Sequence, residues 1–255
     1  MKSIQDLFLE SSGKVIYKWH HYLPIYESLF SKFVGSSVTI LEIGVLRGGS
    51  LKLWKEYFGA DAKIYGIDID PSAKQYESEG IKIFIGDQGD KRFLENVIDE
   101  VGGFDIVIDD GAHTNFMIMR SIETLYPATR HLYIVEDTHA LYWWGGGYSL
   151  MRDVQCAIFG KRNIIGILKH LAAILIRMIS GRLSFMKFVK RRQDALTTDW
   201  HGFRKKQDGD ILPSPERFGE NKVTPFTSMT NGIRVYDSMV VFEKGKQLPR
   251  RAEIR

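Results

Sequence analysis

Residues 108–113 read Ile-Asp-Asp-Gly-Ala-His and follow the apolar run Phe104-Asp105-Ile106-Val107. Residues 132–139, LYIVEDTH, repeat the arrangement, with an apolar run ending in Glu136 and Asp137. Carboxylates are costly at the end of a buried segment unless a partner compensates them. Such acids offer a hard oxygen site for a divalent cation. The imidazole of His113 adds a group that exchanges a proton near neutrality. The chemistry to expect is proton transfer beside an oxygen-ligated cation.

Positioning these groups requires strand ends that meet. Val38–Glu42, Ala62–Asp68, Ile81–Ile85, Phe104–Asp109 and Leu132–Glu136 read as short buried strands. Helices are expected at Ser50–Phe58, in a polar stretch after Pro71, at Arg92–Val101 and at Phe116–Tyr126. The first 36 residues read as an N-terminal helical segment, with Pro24 in a first helical turn. GIRVYDSMVVFE, residues 232–243, reads as the last pair of strands. The alternation implies an α/β fold with a doubly wound, mostly parallel sheet. Ligands of such sheets bind beyond the carboxyl ends of the strands, where every acidic motif falls.

The loop LEIGVLRGGS, residues 41–50, joins the first strand to a helix. Gly44 and Gly48 allow the backbone to approach a ligand. The spacing is not that of a dinucleotide fingerprint, because Leu46 stands where a glycine is needed. Glu42 would suit a cationic ligand such as the amino group of a methionine moiety. Asp68 ends the second strand and would suit ribose hydroxyls. Asp87, in GDQGD, would suit an adenine amino group. For each acid taken alone, capping a helix or ordering a loop is the commoner role. Together, on the strand ends of one sheet, they point to S-adenosylmethionine.

Seven stretches then carry a resemblance: KWHHYLPIYESLF, LEIGVLRGGSLKLWKEYFG, IYGIDIDP, GDQGD, FDIVIDDGAH, YIVEDTHALYW and YDSMVVFEKG. The chain resembles the metal-dependent sugar O-methyltransferases of macrolide biosynthesis, a group that includes cephalosporin hydroxylase-like proteins. The resemblance covers residues 14–143 and 184–243. It implies a seven-stranded, Rossmann-like class I methyltransferase sheet; N-terminal helices and a helical insertion before the last strands are read from the residues, and the insert Asn163–Leu183 has no counterpart in that group. The resemblance implies S-adenosylmethionine and Mg²⁺ as cofactors. It also implies Asp110, Glu136 and Asp137 as metal ligands and His113 as general base; Asp109 is read from its position as lying on the cofactor side, against a role as a helix or loop cap. Departures are Thr129-Arg130-His131 where Gly-Gly is usual, and Ala112 where Ser or Gly is usual.

The residues agree with that chemistry. Three carboxylates from adjacent strand ends form an oxygen site suited to Mg²⁺, and without a cation at least one would tend to keep its proton. A sugar hydroxyl is a poor nucleophile until a cation lowers its pKa and a base removes its proton. Two rivals use the same scaffold: a non-catalytic homologue that binds S-adenosylmethionine or a nucleotide, and a hydroxylase-like enzyme. A non-haem iron site calls for two histidines and one carboxylate, which this carboxylate-rich cluster does not offer. His20, His21 and His139 are weighed as substrate contacts against structural roles. Tyr142, Trp143 and Trp144 are weighed as a sugar-stacking platform against a packed aromatic cluster.

At 255 residues, one domain with an insertion suffices. The expected organisation is a helical segment over 1–36, a core over 37–143 and 211–245, an insertion over 144–210 and a tail over 246–255. One cysteine, Cys156, excludes an intrachain disulfide and suits a reducing compartment, so a cytoplasmic location is expected. The start shows no signal-peptide pattern, and no apolar run reaches membrane-span length. Lys161–Lys206 holds twelve Lys and Arg against two acids, whereas the rest holds 23 basic against 29 acidic residues. Within it, Ile164, Leu168, Leu171, Leu175 and Met178 share one helical face. That helix is expected to serve the core or a homo-oligomer. Residues 163–183 could alternatively lie on a membrane surface. The expected partner is a glycoside or other sugar-containing acceptor, and no nucleic-acid motif is recognised.

Overall fold

The structure, a computed structural model, describes residues 2–11, 15–146, 184–198 and 225–245, with a few helical positions between 154 and 175. Helices α1 (Ile4–Glu10) and α2 (Tyr22–Phe30) precede the sheet. Then follow β1 (Thr39–Ile43), α3 (Gly49–Phe58), β2 (Lys63–Asp68), β3 (Ile81–Ile85), α4 (Lys91–Val101), β4 (Phe104–Asp109), α5 (Asn115–Leu125) and β5 (Thr129–Val135). Helices α6 (Phe185–Thr198) and α7 (Pro225–Met229) lead into β6 (Thr230–Tyr236) and β7 (Met239–Lys244).

The seven strands lie in the order β3-β2-β1-β4-β5-β7-β6. The first five run parallel, while β7 is antiparallel to both β5 and β6. This is the class I methyltransferase arrangement. The strand order reverses direction between β1 and β4, which creates the crevice where doubly wound sheets bind ligands. In register, Ile43 faces Asp109, and Asp109 faces Val135. The motif ends of β1, β4 and β5 therefore lie side by side.

Alternation along each strand sorts the side chains onto two faces. Ile40, Ile106, Ile108 and Ile134 pack with α1, α2 and α3. Leu41, Ile43, Val107, Tyr133 and Val135 pack with α4, α5 and α6. Local signals set the helix limits. Asp90 caps α4 and Thr114 caps α5 through their side chains, and Gly102 ends α4 at φ 80°.

Two local expectations change. The polar stretch after Pro71 is a single 3-10 stretch, Pro71–Tyr76, capped by Asp70 and ended by extended Glu77. Within the first 36 residues, 15–19 form neither helix nor strand. Their polar side chains reach across the strand ends instead, so backbone helicity gives way to tertiary bonds. No helix among the described residues is long and apolar enough to cross a membrane.

Candidate active site

The paired acids of IDDGAH part company. Asp109, the last residue of β4, points to the α5 face and is buried. It accepts hydrogen bonds from Gln88 Nε2 at 3.1 Å, Tyr133 OH at 3.1 Å and Ser121 Oγ. Burial nonetheless pushes its carboxyl above the ordinary range, and the three donors only partly oppose this. Gln88 also accepts from Ala112 N at 2.8 Å, so one amide ties the β3–α4 turn to the IDDGAH loop. Asp109 orders the scaffold behind the rim.

Asp110 points the other way. Its backbone N donates to Ile43 O at 3.0 Å, which extends the β1–β4 ladder by one bond. Its Oδ2 accepts from Lys18 Nζ at 2.6 Å. The same ammonium donates to Glu136 Oε1 at 2.6 Å and to Glu42 Oε1 at 2.9 Å. Lys18 is almost wholly enclosed, with a side chain 1% exposed. Burial would lower its pKa, but Asp110, Glu136 and Glu42 outweigh that and raise it well above the usual lysine value. Glu42 also accepts from Trp54 Nε1 at 3.0 Å. The cation that Glu42 meets is thus one of the chain's own.

Glu136 is fully enclosed and also accepts from Tyr26 OH. Burial, then the charge of Asp110, pushes its carboxyl upward, against the pull of Lys18. Three carboxylates around one ammonium leave excess negative charge, which adds to that upward push.

Asp137 lies on the open side. It adopts φ 53°, a left-handed conformation unusual outside glycine. Its Oδ1 accepts from Tyr22 OH at 2.8 Å and Trp19 Nε1 at 3.0 Å. The backbone N of Asp137 donates to Tyr22 OH at 3.2 Å. His113, at φ 51°, is also left-handed. Its Nε2 stands 3.6 Å from Asp110 Oδ1 and 3.8 Å from Asp137 Oδ2. These are distances of proximity rather than hydrogen bonding. The three side chains are 19–25% exposed, and their ligand atoms all lie within 4.8 Å of one another. Asp110 and Asp137 offer two carboxylate oxygens to a divalent cation, and the imidazole of His113 stands beside them. A second group, Glu42, Asp110 and Glu136, has the same closeness. Asp110 belongs to both, while Glu136 falls in the inner group and Asp137 in the outer.

The remaining rim residues order loops. Gly44, at φ +92°, lies so close to Asp110 O that a Cβ there would overlap it. This contact holds the β1–α3 loop against the IDDGAH loop. Gly48, at φ +69°, likewise leaves no room for a Cβ beside Tyr76. Asp68 Oδ2 accepts from Val45 N and Leu46 N at 2.9 and 3.1 Å, and Oδ1 from Asp70 N at 2.9 Å. Asp87 Oδ1 accepts from Gly89 N at 2.7 Å. Asp68 and Asp87 are both partly exposed on the rim.

His139 lies edge-on to Trp19, with ring centroids 5.8 Å apart. His20 packs against Phe8 and His21 against Tyr22. Tyr142 is exposed, while Cys156 and the side chains of Trp143 and Trp144 fall outside the described residues. Most of the basic stretch 161–206 also lies outside them; where described, Leu171 and Ile174 pack on Phe116 and Met117. Sequence reasoning gave no role to Lys18, Trp19, Tyr22, Tyr26 or Gln88. The signal available was the i, i+4 spacing of Tyr22 and Tyr26, which puts two phenols on one face of α2.

Comparisons with known proteins agree with the motifs. No family model matches the chain. Mycinamicin VI 2''-O-methyltransferase of Micromonospora griseorubida is 39% identical over 162 residues, 59% of this chain and 40% of that protein. L-olivosyl-oleandolide 3-O-methyltransferase of Streptomyces antibioticus is 34% identical over 195 residues, 72% of this chain and 46% of that protein. The chain thus spans less than half the length of these curated relatives. The solved structure of the MycE methyltransferase from the mycinamycin biosynthetic pathway, in complex with Mg and SAH, matches with a TM-score of 0.67. The match has 26% identity and covers 96% of this chain and 55% of that one. In sequence and in fold, the chain resembles sugar O-methyltransferases.

Proposed function

We propose that the chain is an S-adenosylmethionine-dependent, Mg²⁺-assisted O-methyltransferase acting on a sugar hydroxyl of a glycoside, macrolide or polysaccharide precursor. The observation that carries this reading is the open group of Asp110, His113 and Asp137 at the crevice between β1 and β4 and beside β5. The relatives support the reaction class: they are named as O-methyltransferases of sugar-bearing natural products. The MycE structures hold Mg and SAH, and one also holds mycinamycin VI.

Asp110 and Asp137 would hold the cation from the open side, with Glu136 behind them, and the cation would supply Lewis-acid polarisation of the acceptor hydroxyl. His113 stands where it can take the hydroxyl proton, and the two flanking carboxylates would stabilise the imidazolium that results. S-adenosylmethionine, when bound, would supply the methyl group to the acceptor oxygen, and His113 would hold the proton that the hydroxyl gives up. Asp68 and Asp87 would face the adenosine half of the cofactor, with Gly44 and Gly48 shaping its loop. Glu42 and Asp109 act from behind, as neighbours that fix the rim.

The same reading assigns residues 1–36 to a helical segment, 37–143 and 211–245 to the catalytic core, 144–210 to an insertion and 246–255 to a tail. It places the enzyme in the cytoplasm. Ile164, Leu168 and Leu175 are exposed apolar side chains at helical spacing, which supports a self-contact through the insertion. Light scattering on the purified chain tests that contact. The activity is tested by calorimetric titration of S-adenosylhomocysteine with Mg²⁺, followed by methyl transfer to rhamnosyl and deoxysugar glycosides. One-to-one binding with methylated product is expected. A folded protein that binds no S-adenosylhomocysteine defeats the reading, and binding without transfer to any glycoside favours a non-catalytic homologue.

A further inference from the structure

The two acid groups at the strand ends share Asp110 and differ in what fills them. The inner group is Glu42, Asp110 and Glu136, and Lys18 sits among all three. An ammonium carries three N–H donors and no acceptor; here it has three carboxylate partners. The outer group is Asp110, His113 and Asp137, and it faces the crevice. Asp110 turns one oxygen to each side: Oδ2 to Lys18 and Oδ1 toward His113. A carboxylate shared between neighbouring cation positions is the layout of a two-metal site.

We infer that Lys18 is a positioning residue that serves as a tethered cation in the inner of two adjacent cation positions, confining a divalent ion to the outer one beside His113. The inference rests on the proposed metal-assisted reading. Three features support it. Lys18 is enclosed and cannot exchange with solvent ions as a free cation does. It lies in the strap, residues 15–22, whose next side chains, Trp19 and Tyr22, grip Asp137 of the outer group. One segment of chain thus fills the inner position and orients an acid of the outer. Finally, two of the inner carboxylates, Glu42 and Glu136, are buried at the strand ends, where unpaired charges are strongly disfavoured, so a resident cation is needed whether or not metal is bound.

The test compares wild type, Lys18→Met and Lys18→Met/Glu42→Gln by counting bound Mn²⁺ with electron paramagnetic resonance and melting each protein in chelator and in Mn²⁺. Wild type is expected to bind one Mn²⁺ per chain and to stay folded in chelator. Lys18→Met should melt well below wild type in chelator, recover with Mn²⁺, and bind two ions per chain. Adding Glu42→Gln should restore stability in chelator and weaken the second ion at least ~10-fold, as loss of a supporting group at a metal site does. A Lys18→Met protein that binds one Mn²⁺ and melts in chelator like wild type overturns the inference. If Lys18→Met does not fold, the double variant decides: a folded protein supports the role, and one equally unfolded overturns it. Wild type that binds no Mn²⁺ beside a Lys18→Met protein that binds one would keep the role of Lys18 and defeat the outer metal site instead.

Discussion

Asp109 and Asp110, adjacent in sequence, send their carboxylates to opposite faces of the sheet, one to Ser121 and Tyr133, the other to Lys18. The first is enclosed in the scaffold and the second opens partly onto the crevice. Of the two, Asp110 alone reaches the open group with His113 and Asp137.

His113→Ala should leave S-adenosylhomocysteine affinity within about twofold and lower turnover at least ~100-fold, the scale of a lost general base. Steady-state kinetics on a confirmed acceptor, paired with calorimetry, separate the two. Turnover at the wild-type level would remove His113 from the role.

Asp137 and Tyr22 should act in one direction with different severity. Asp137→Asn removes a charged oxygen from the outer group and should raise the Mg²⁺ concentration needed for half-maximal activity sharply. Tyr22→Phe removes the hydroxyl that donates to Asp137 Oδ1 at 2.8 Å and should weaken Mg²⁺ by about 10–100-fold. Metal titrations of activity and of intrinsic fluorescence should rank the two alike; activity independent of metal in either would contradict the proposed site.

Gly44→Ala should destabilise the fold by about 2–4 kcal/mol, from a strained positive φ and a clash with backbone that has no free rotamer. The clash falls on Asp110 O, so Mg²⁺ affinity should drop with stability. Urea unfolding with and without Mg²⁺ reads both. A variant as stable as wild type would show that the two loops are not packed as described.

Asp105, away from the site, sets a pH dependence. Its Oδ1 accepts from Arg130 Nε at 2.7 Å and its Oδ2 from Thr39 N at 2.8 Å. Burial opposes the charged form, but these bonds win and hold the carboxyl below its usual value. A carboxyl with a depressed folded pKa contributes stability above its unfolded value near 4 and loses it as pH falls through the folded one. Asp105→Asn should therefore cost about 1–3 kcal/mol at pH 7, with the gap to wild type closing below about pH 4. Thermal melts across pH 2–7 give the comparison; a gap that is constant with pH would assign the loss to packing instead.

Short apolar runs and the turn residues between them made the strands of the sheet legible, and Asp110, Glu136, Asp137 and His113 were drawn together because their motifs end neighbouring strands; their division into an inner and an outer group was not legible. The separation of Asp109 from Asp110 was also in principle readable, since Ile106 and Ile108 share the face that Asp110 continues. Lys18 was not. It lies 92 residues from Asp110 and 118 from Glu136, and nothing local in KWHHYLP distinguishes a buried ammonium from a solvated one. Glu42 shows the same limit: the need for a positive partner was legible, but its source was not.

The strap of residues 15–22 also sets an order of assembly. Tyr22 OH bonds to Ser238 O across 216 residues, and Thr138 N shares that carbonyl. During synthesis the strap leaves the ribosome long before β7 exists to receive it. Its bonds to β1, β4, β5 and the β6–β7 turn span most of the described chain, so their loop-closure cost falls late in folding. Until then the inner carboxylates lack their ammonium. The strap precedes every strand it binds, yet its docking comes last and completes the rim.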